Sequence, residues 1–380
     1  MFFLDPRNAL IDCDKLFAHK ELDFKIKFTP QWSESLSSTI MSSSSYRTTS
    51  DTFNDTKHND NTETILKMYW PADFNYKYDD DVSGTATDFE TWAQGESYLT
   101  KKEIAFGLDM RSNALFRPSC DHQRKFLAHR YAFCFYLFDD LYEYLMSFDG
   151  GRQFGDTFAH NFRAIVSGQE KELKSLDEFQ SKLPNELRKA KLVQQTTIKL
   201  MNEAKQILSL RSLNRWYQIN YITYTTCQLE SELWRQKVAL NQFISKREYA
   251  DVKRFNSAFH SVLFILLDES DLEYYPTDEP LTAVASIAMC LDNDIFSFPK
   301  ERQLQVNPFN TIRKFVSNGH TEFEAIRKLL RVRNEMVRSL EVTSSFLPVA
   351  QQRSLSKCFH FLGGLLNYHS TCIRFGWTHE

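Results

Sequence analysis

The stretch that decides the fold is residues 121–148, DHQRKFLAHRYAFCFYLFDDLYEYLMSF. It contains neither glycine nor proline, and its apolar residues follow the spacing of a helix. The stretch therefore predicts one long helix. Within it, the apolar run Tyr131–Phe138 leads directly into the carboxylates of Asp139, Asp140 and Glu143.

Helical spacing continues beyond this stretch, almost without interruption from about residue 100 onward. Glycine, proline or asparagine stands at many of the points where helices are expected to end. No stretch alternates as a strand does for long. The predicted helices are 88–107, 121–148, 157–168, 170–182, 185–211, 213–243, 246–268, 280–303, 308–318, 321–343 and 349–376.

The composition agrees with this pattern. The chain of 380 residues has only 11 Gly and 10 Pro, a shortage that favours long helices over many short strands. Hydrophobic residues make up 42% and charged residues 25%, which is typical of a soluble globular protein with a full core. We predict an all-α fold, a helical bundle with one main core.

The N-terminal part of the sequence has a different character. Residues 33–64 are rich in Ser, Thr, Asn and Asp and offer few apolar anchors. Such a segment buries too little surface to offset the entropy lost when it is ordered. We predict that residues 1–65 form an extension whose segment 33–64 is disordered, and that residues 66–380 form the helical domain.

Charge and cysteine content exclude several classes of function. The net charge of −3 gives no electrostatic reason to expect nucleic acid as a partner. The seven cysteines are scattered and form no CxxC pair, so a reducing compartment fits best. The apolar runs are too short to span a bilayer, and Asp5 interrupts the apolar start Met1–Leu4 before a signal-peptide core can form. We expect a cytoplasmic protein without stable membrane insertion.

The carboxylates that end the apolar run are a candidate metal site. Asp139 and Glu143 are four residues apart and share one face of a helix, with Asp140 beside them. Like charges at this spacing repel unless a cation neutralises them, and oxygen ligands beside a dry aromatic wall suit Mg²⁺. Taken alone, the cluster fits a solvated acidic helix end better. The apolar run before it is what sets it apart.

Residues 293–301, NDIFSFPKE, carry a second candidate site. Asn293, Ser297 and Glu301 are spaced four residues apart, so an amide, a hydroxyl and a carboxylate oxygen lie along one helix stripe. This set can make a second, less charged Mg²⁺ site, and Lys300 beside it can meet an anionic ligand. The alternative is the polar C-terminus of an ordinary helix. Pro299, inside the segment, removes a backbone hydrogen bond and can kink the helix.

Together the two segments resemble the metal-binding signatures of the microbial, single-domain class I terpene synthases. Asp139-Asp140-Leu-Tyr-Glu143 fits the DDxx(D/E) motif, and residues 293–301 fit the NDxxSxxxE motif, in the expected order. The resemblance extends over roughly residues 90–380. It implies an all-α bundle of the class I terpenoid synthase type with the active site in its cavity.

Two further positions resemble that family. Its members carry a diphosphate-sensing Arg between the two motifs, and Arg254 matches it, with Arg247 as the alternative because spacing and local pattern favour different residues. Ala258 stands where the family usually has Gly. Near the C-terminus, Arg374 matches the family's Arg-Tyr pair, with Phe375 in place of Tyr.

The resemblance also implies a role for each matched residue. The catalytic residues would be Asp139, Arg254 and Arg374. Three Mg²⁺ ions would be held by Asp139, Asp140, Glu143, Asn293, Ser297 and Glu301. The diphosphate would be bound by Arg254, Lys300 and Arg374. The aromatic pocket candidates are Phe135, Tyr136 and Tyr368.

The function that follows from the resemblance is that of a terpene synthase, a lyase that ionises a prenyl diphosphate and cyclises the carbocation. Analogy favours farnesyl diphosphate and a sesquiterpene; geranyl and geranylgeranyl diphosphate stay open, and a homodimer is one candidate for the oligomeric state. The alternatives are a chain-elongating prenyltransferase, whose second motif is usually aspartate-rich, a non-catalytic helical protein that keeps the motifs, and a metal-dependent phosphohydrolase.

Overall fold

The central element of the fold is the long helix predicted from residues 121–148. A computed structural model describes residues 21–27, 63–69, 82–96, 98–109, 121–180, 183–256, 259–267, 280–301 and 308–371. Its strands are β1 (Glu21–Lys27) and β2 (Glu63–Tyr69). Its α-helices are α1 (Val82–Gly95), α2 (Lys101–Asp109), α3 (His122–Met146), α4 (Arg152–Val166), α5 (Pro184–Ile207), α6 (Leu210–Ala239), α7 (Lys246–Asn256), α8 (Phe259–Leu266), α9 (Pro280–Glu301), α10 (Thr311–Ser317), α11 (Glu322–Ser344) and α12 (Val349–Thr371).

Helix α3 is the predicted long helix, and it is buried on almost all sides. Asp121 caps its first turn, because its Oδ1 accepts a hydrogen bond from the backbone N–H of Arg124 at 2.9 Å. The helix packs against α1, α4, α5 and α8. A helix that is apolar all round belongs in the middle of a bundle.

An aromatic cluster fills the space between α3, α4 and α6. The ring of Phe138 stacks on Phe162 at 4.4 Å and meets the edge of Tyr224 at 5.4 Å. Phe135 contacts the same Tyr224 ring at 5.6 Å. Aromatic pairs of this kind contribute about 0.5–1.5 kcal/mol each beyond the area they bury. The cluster places a dry, rigid wall directly before Asp139.

Helix α9 is the second buried helix, and it packs against α7, α11 and α12. An ion pair buried on both sides fixes it to α11: Arg333 donates from Nε to Asp292 Oδ1 at 2.8 Å and from Nη2 to Oδ2 at 3.3 Å. Burial raises the pKa of Asp292, and the guanidinium of Arg333 counteracts that rise. A buried bidentate ion pair of this kind adds little net stability, but its geometry fixes the orientation of the two helices.

The all-α fold class is confirmed. The expectation that no stretch alternates as a strand was wrong near the N-terminus, where β1 and β2 pair antiparallel. The sequence of β1, ELDFKIK, alternates polar and apolar residues, and the register sets Asp23 opposite Lys67 and Lys27 opposite Glu63. Strand β2 lies against α11 and crosses residue 65, where we set the domain boundary. That division stays a prediction, and residues 33–62 of the segment predicted to be disordered lie outside the described residues.

The predicted helix at 170–182 is not formed. The structure has two short 3₁₀ turns there, Glu170–Glu172 and Asp177–Phe179. The reason is Asn161, whose buried side chain donates to the carbonyl of Lys174 and accepts from its N–H, each at 2.8 Å. This side chain takes the backbone groups that a helix would need at that point.

The predicted helix at 88–107 is divided into α1 and α2. A capping box begins α2: Glu103 accepts from the N–H of Thr100 at 2.8 Å, and Thr100 Oγ1 accepts from the N–H of Glu103 at 3.2 Å. The prediction for 246–268 is met by α7 and α8, and Ser257 and Ala258 between them lie outside the described residues. In the described part of the chain, no helix combines the length and apolar character needed to cross a membrane.

Candidate active site

The first predicted motif lies near the C-terminal end of α3. Asp139 is half-buried, whereas Asp140 and Glu143 are exposed. The three carboxylates are therefore not equivalent. Of the three, only Asp139 lies at the border between the aromatic wall and solvent. A carboxylate at this border could bind a cation next to a buried apolar cavity.

The carboxylate of Asp139 lies within electrostatic range of Cys227 on α6. Burial raises the pKa of the Cys227 thiol, and the negative charges of Asp139 and Glu230 raise it further, while the Lys253 ammonium lowers it. Cys227 is buried in α6. The carboxylates of Asp139 and Glu230 and the ammonium of Lys253 thus all lie within electrostatic range of this buried thiol.

The second motif lies on the last turns of α9, and the helix continues through Pro299 to Glu301. Asn293 and Glu301 are half-buried and Ser297 is 3% exposed. The Oγ of Ser297 is buried and has no hydrogen-bond partner. A buried hydroxyl without a partner costs about 1–3 kcal/mol, and native structures leave few of them without a reason. Lys300 belongs to the helix, but its side chain lies outside the described part.

Glu301 is held in place by residues just before and within α10. Its Oε2 accepts from Asn310 Nδ2 at 3.0 Å, and its backbone carbonyl accepts from Arg313 Nη1 at 3.1 Å. The same Asn310 Nδ2 lies 3.2 Å from the carbonyl of Asp294. Asn310 therefore ties the end of α9 to the start of α10.

Asp294 is the second residue of the NDxxSxxxE motif; it is buried and has a structural role. It accepts from the Tyr249 hydroxyl and from the N–H of Thr311, both at 3.1 Å. Burial raises its pKa to about 7, with Lys253 lowering it and Glu301 raising it. Asp294 thus fixes α9 to α7 and α10, and sequence reasoning had given it no role.

A mostly buried ion pair joins α7 to α6. Lys253 Nζ on α7 donates to Glu230 Oε1 on α6 at 2.6 Å, and both side chains are mostly buried. Burial lowers the pKa of Lys253, but the negative charges of Glu230 and Asp294 act in the opposite sense, and the pKa is raised. Lys253 is thus within electrostatic reach of Asp294 in the second motif and of Cys227, which also senses Asp139. Sequence reasoning selected neither Lys253 nor Glu230.

The two arginine candidates differ in their surroundings. Arg247 is 76% exposed at its side chain and pairs with Asp251 at 3.7 Å. Arg254 is half-buried, its guanidinium lies 4.6 Å above the ring of Phe255, and its buried Nε has no hydrogen-bond partner. A buried donor without an acceptor is suited to binding an anionic ligand. Arg374 and Phe375 lie outside the described residues.

The pocket candidates on α3 point to different neighbours. Phe135 is buried and meets Tyr224 on α6, whereas Tyr136 is half-buried and meets Phe106 on α2 at 5.7 Å. Tyr368 lies in α12, and its side chain is outside the described part of the chain. Phe135 is therefore on the same side of α3 as the aromatic wall below Asp139, and Tyr136 is not.

The described residues contain no group of three or more His, Cys, Asp or Glu side chains that could hold a metal ion on their own. The donors that do line up include the amide of Asn293 and the hydroxyl of Ser297. A site of this composition leaves ligand positions for water and for an anionic substrate, as Mg²⁺ sites commonly do.

Comparison with known proteins defines the class. The family model described as terpene synthase family 2, C-terminal metal binding, matches residues 131–339, more than half of the chain. The chain therefore belongs to this family. It is an enzyme of the terpene synthase class, a lyase that acts on prenyl diphosphates. The matched region contains both motifs and Arg254.

Solved structures share the fold. 2-Methylisoborneol synthase from Streptomyces coelicolor A3(2), in complex with Mg²⁺ and 2-fluorogeranyl diphosphate, is 18% identical with a TM-score of 0.59, over 82% of this chain and 97% of that one. Its complex with Mg²⁺ and geranyl-S-thiolodiphosphate is 17% identical with a TM-score of 0.60, over 82% of this chain and 98% of that one. The SVS_A2 protein from ancestral sequence reconstruction is 12% identical with a TM-score of 0.57, over 79% of this chain and 89% of that one. At these identities the likeness shows the fold. The comparison with curated proteins gives no match.

Proposed function

We propose that this protein binds a prenyl diphosphate together with Mg²⁺, ionises it and cyclises the carbocation, with farnesyl diphosphate as substrate and a sesquiterpene as product. The observation that carries the proposal is the buried Ser297 hydroxyl, which has no partner and lies in one stripe with Asn293 and Glu301. The donor set of this stripe fits Mg²⁺, which prefers oxygen ligands.

Asn293, Ser297 and Glu301 on one side and Asp139 on the other would hold the metal ions, with Asp140 and Glu143 as supporting ligands. Three ions are expected from the family resemblance. Bound Mg²⁺ would neutralise the diphosphate and stabilise the charge that develops on it as a leaving group. The 2-methylisoborneol synthase structures in complex with Mg²⁺ and prenyl diphosphate analogues support this choice of cofactor.

The cationic side chains would bind the leaving diphosphate. Arg254 offers a buried, unused donor, and Lys300 and Arg374 are proposed on the basis of the family resemblance. Lys253 is held by Glu230 at 2.6 Å and so is already compensated in the free protein. Of these two neighbouring cations, Arg254 is therefore the better prepared for an anionic partner.

The aromatic wall would stabilise the carbocation and keep water away from it. Tyr224 packs edge to face against both Phe135 and Phe138, and the rings of Phe135 and Phe138 lie tilted to each other at 6.3 Å. A desolvated aromatic face stabilises a cation by about 2 kcal/mol. Water would quench the cation to an alcohol, so a dry cavity is a condition of cyclisation.

The test is a product analysis with purified full-length protein and Mg²⁺. Geranyl, farnesyl and geranylgeranyl diphosphate are each incubated alone, and the extracts are separated by gas chromatography with mass detection. A cyclic C15 hydrocarbon or alcohol from farnesyl diphosphate, lost on addition of EDTA, supports the proposal. If only geranyl diphosphate gave cyclic products, it would replace farnesyl diphosphate as the proposed substrate. If only linear alcohols were formed, the protein would be a phosphohydrolase. A homodimer stays a prediction, tested by light scattering.

A further inference from the structure

The C-terminal turn of α7 carries Arg254 and is fastened by side chains from two other helices. The last carbonyls of a helix have no partner within it. In α7, which ends at Asn256, the carbonyl of Lys253 accepts from Ser286 Oγ of α9 at 3.0 Å. The carbonyl of Arg254 bonds to the Nε2 of His260, in the first turn of α8, at 2.9 Å. His260 therefore spans the junction between α7 and α8.

The chemistry of His260 fixes the direction of this hydrogen bond. His260 is 3% exposed. Burial lowers its pKa to about 4, its bond to Arg254 acts in the opposite sense, and the charge of Arg254 lowers it further. The ring is neutral near pH 7, and a carbonyl can only accept. The single ring proton is therefore assigned to Nε2, which donates.

The side chain of Arg254 is oriented by the same small group of residues. Its guanidinium lies 4.6 Å above the ring of Phe255, and that ring is 5.8 Å from the ring of His260. His260 also packs edge-on against Phe259 at 5.1 Å. Both the backbone and the side chain of Arg254 are thus supported, while its buried Nε is left without a partner.

We propose that His260 is a positioning residue for Arg254: by donating to the carbonyl of Arg254 it fixes the last turn of α7 so that the guanidinium is presented to the diphosphate of the substrate. This inference rests on the proposed function in one respect, that Arg254 binds diphosphate. It adds a residue that neither motif contains. His260 itself touches no substrate.

A double-mutant cycle on the full-length protein tests the coupling. The dissociation constant for inorganic diphosphate in the presence of Mg²⁺ is measured by calorimetry for the wild type, His260→Leu, Arg254→Gln and the double variant. Loss of one positioning hydrogen bond is expected to weaken binding about fivefold in the wild-type background. In the Arg254→Gln background the same substitution is expected to change nothing, because the group that it positions is gone. His260→Gln, which can still donate at the position of Nε2, is expected to restore most of the affinity.

His129 provides the matched control. It is also a buried histidine whose Nε2 lies at a backbone carbonyl, that of Gly107 at 2.7 Å, and it stacks on Phe89 away from α7. His129→Leu is expected to lower the thermal midpoint without changing the affinity for diphosphate. If His260→Leu does not fold, the cycle is run with His260→Asn, whose amide is too short to reach the carbonyl.

The outcomes separate this inference from the proposed function. The positioning role is overturned if His260→Leu lowers the affinity for diphosphate equally in the wild-type and Arg254→Gln backgrounds. It is also overturned if this loss of affinity is no larger than that of His129→Leu, even if the wild type makes a terpene. Coupling between the two residues without any product from a prenyl diphosphate supports the positioning role and overturns the proposed function. A wild type that binds no diphosphate overturns both.

Discussion

Lys253 on α7 and Glu230 on α6 form an ion pair at 2.6 Å. The carboxylates of Glu230 and Asp139 both raise the pKa of the buried Cys227 thiol, and the carboxylate of Asp294 raises the pKa of Lys253. The pair thus neutralises charge at a place where several carboxylates converge. It also joins α6 to α7, the helix that presents Arg254.

Removing one partner of this pair is expected to destabilise the fold. Lys253→Met leaves the carboxylate of Glu230 mostly buried and without its cation, which should lower the free energy of unfolding by about 2–3 kcal/mol. Denaturation with urea measures the change. Lys205→Met is the control, because Lys205 pairs with Glu170 at 3.5 Å on the surface and should cost less than about 1 kcal/mol. Equal losses for the two variants would contradict the prediction.

Ser297→Ala is expected to separate activity from stability. Removing a buried hydroxyl that has no partner should leave the thermal midpoint unchanged or raise it, since about 1 kcal/mol of desolvation cost disappears. Turnover should fall, and the Mg²⁺ concentration for half-maximal activity should rise by roughly 10-fold or more. The matched control is Ser317→Ala, at an exposed serine of α10 that bonds only to the carbonyl of Lys314. A destabilised but fully active Ser297→Ala would refute the assignment.

Asp139→Ala and Asn293→Ala should each abolish most turnover while the far-ultraviolet circular dichroism stays that of the wild type. The expected loss in kcat/KM is roughly 1,000-fold, about 4 kcal/mol of transition-state stabilisation. Asp177→Ala is the comparison, since Asp177 is an exposed carboxylate paired with Lys191. Retained activity in both Asp139→Ala and Asn293→Ala would remove the proposed metal site.

The choice between the two arginines can be made by inhibition with inorganic diphosphate. Arg254→Gln should raise the inhibition constant by roughly 10- to 100-fold, the value of a charge-assisted hydrogen bond in a partly buried place. Arg247→Gln should have much the smaller effect, because its side chain is exposed and engaged with Asp251. The opposite order would make Arg247 the sensor.

Stability should fall in mildly acidic solution because of His260. Its pKa is lowered to about 4 in the folded protein, against about 6.5 in an unfolded chain. The unfolded state therefore binds the proton first, and stability that is complete above pH 6.5 is lost as the pH falls toward 4. The contribution is at most about 3 kcal/mol. His260→Gln cannot titrate, so its unfolding free energy should depend less on pH in this window; identical pH profiles would disprove the assignment.

The sequence was informative where local patterns act alone. The apolar run into Asp139 and the four-residue spacing from Asn293 to Glu301 predicted their helices, because side-chain spacing along a helix is a local property. Position in three dimensions is not local. Tyr136 turned away from the wall that Phe135 joins, and nothing in the run distinguishes these adjacent residues. Glu230, which pairs with Lys253 from another helix, could not be selected for the same reason.

Other misses had signals that were present but weak. Thr100 and Glu103 have the spacing of a capping box, which predicts the start of α2. The alternation of ELDFKIK predicts β1. By contrast, the loss of the helix at 170–182 depends on Asn161, a residue of the preceding helix whose bonds to Lys174 form only in the folded chain.

The buried contact of Asp292 with Arg333 has a consequence for how this enzyme can change its product. It sets the rotation of α9 against α11, one residue before the stripe that begins at Asn293. Substitutions that reshape the aromatic wall on α3 and α6 leave that anchor untouched. Under the proposed function, substitutions in the wall can therefore change the ring system of the product while the proposed metal ligands of α9 keep their alignment, whereas loss of Arg333 would lower the turnover of every substrate.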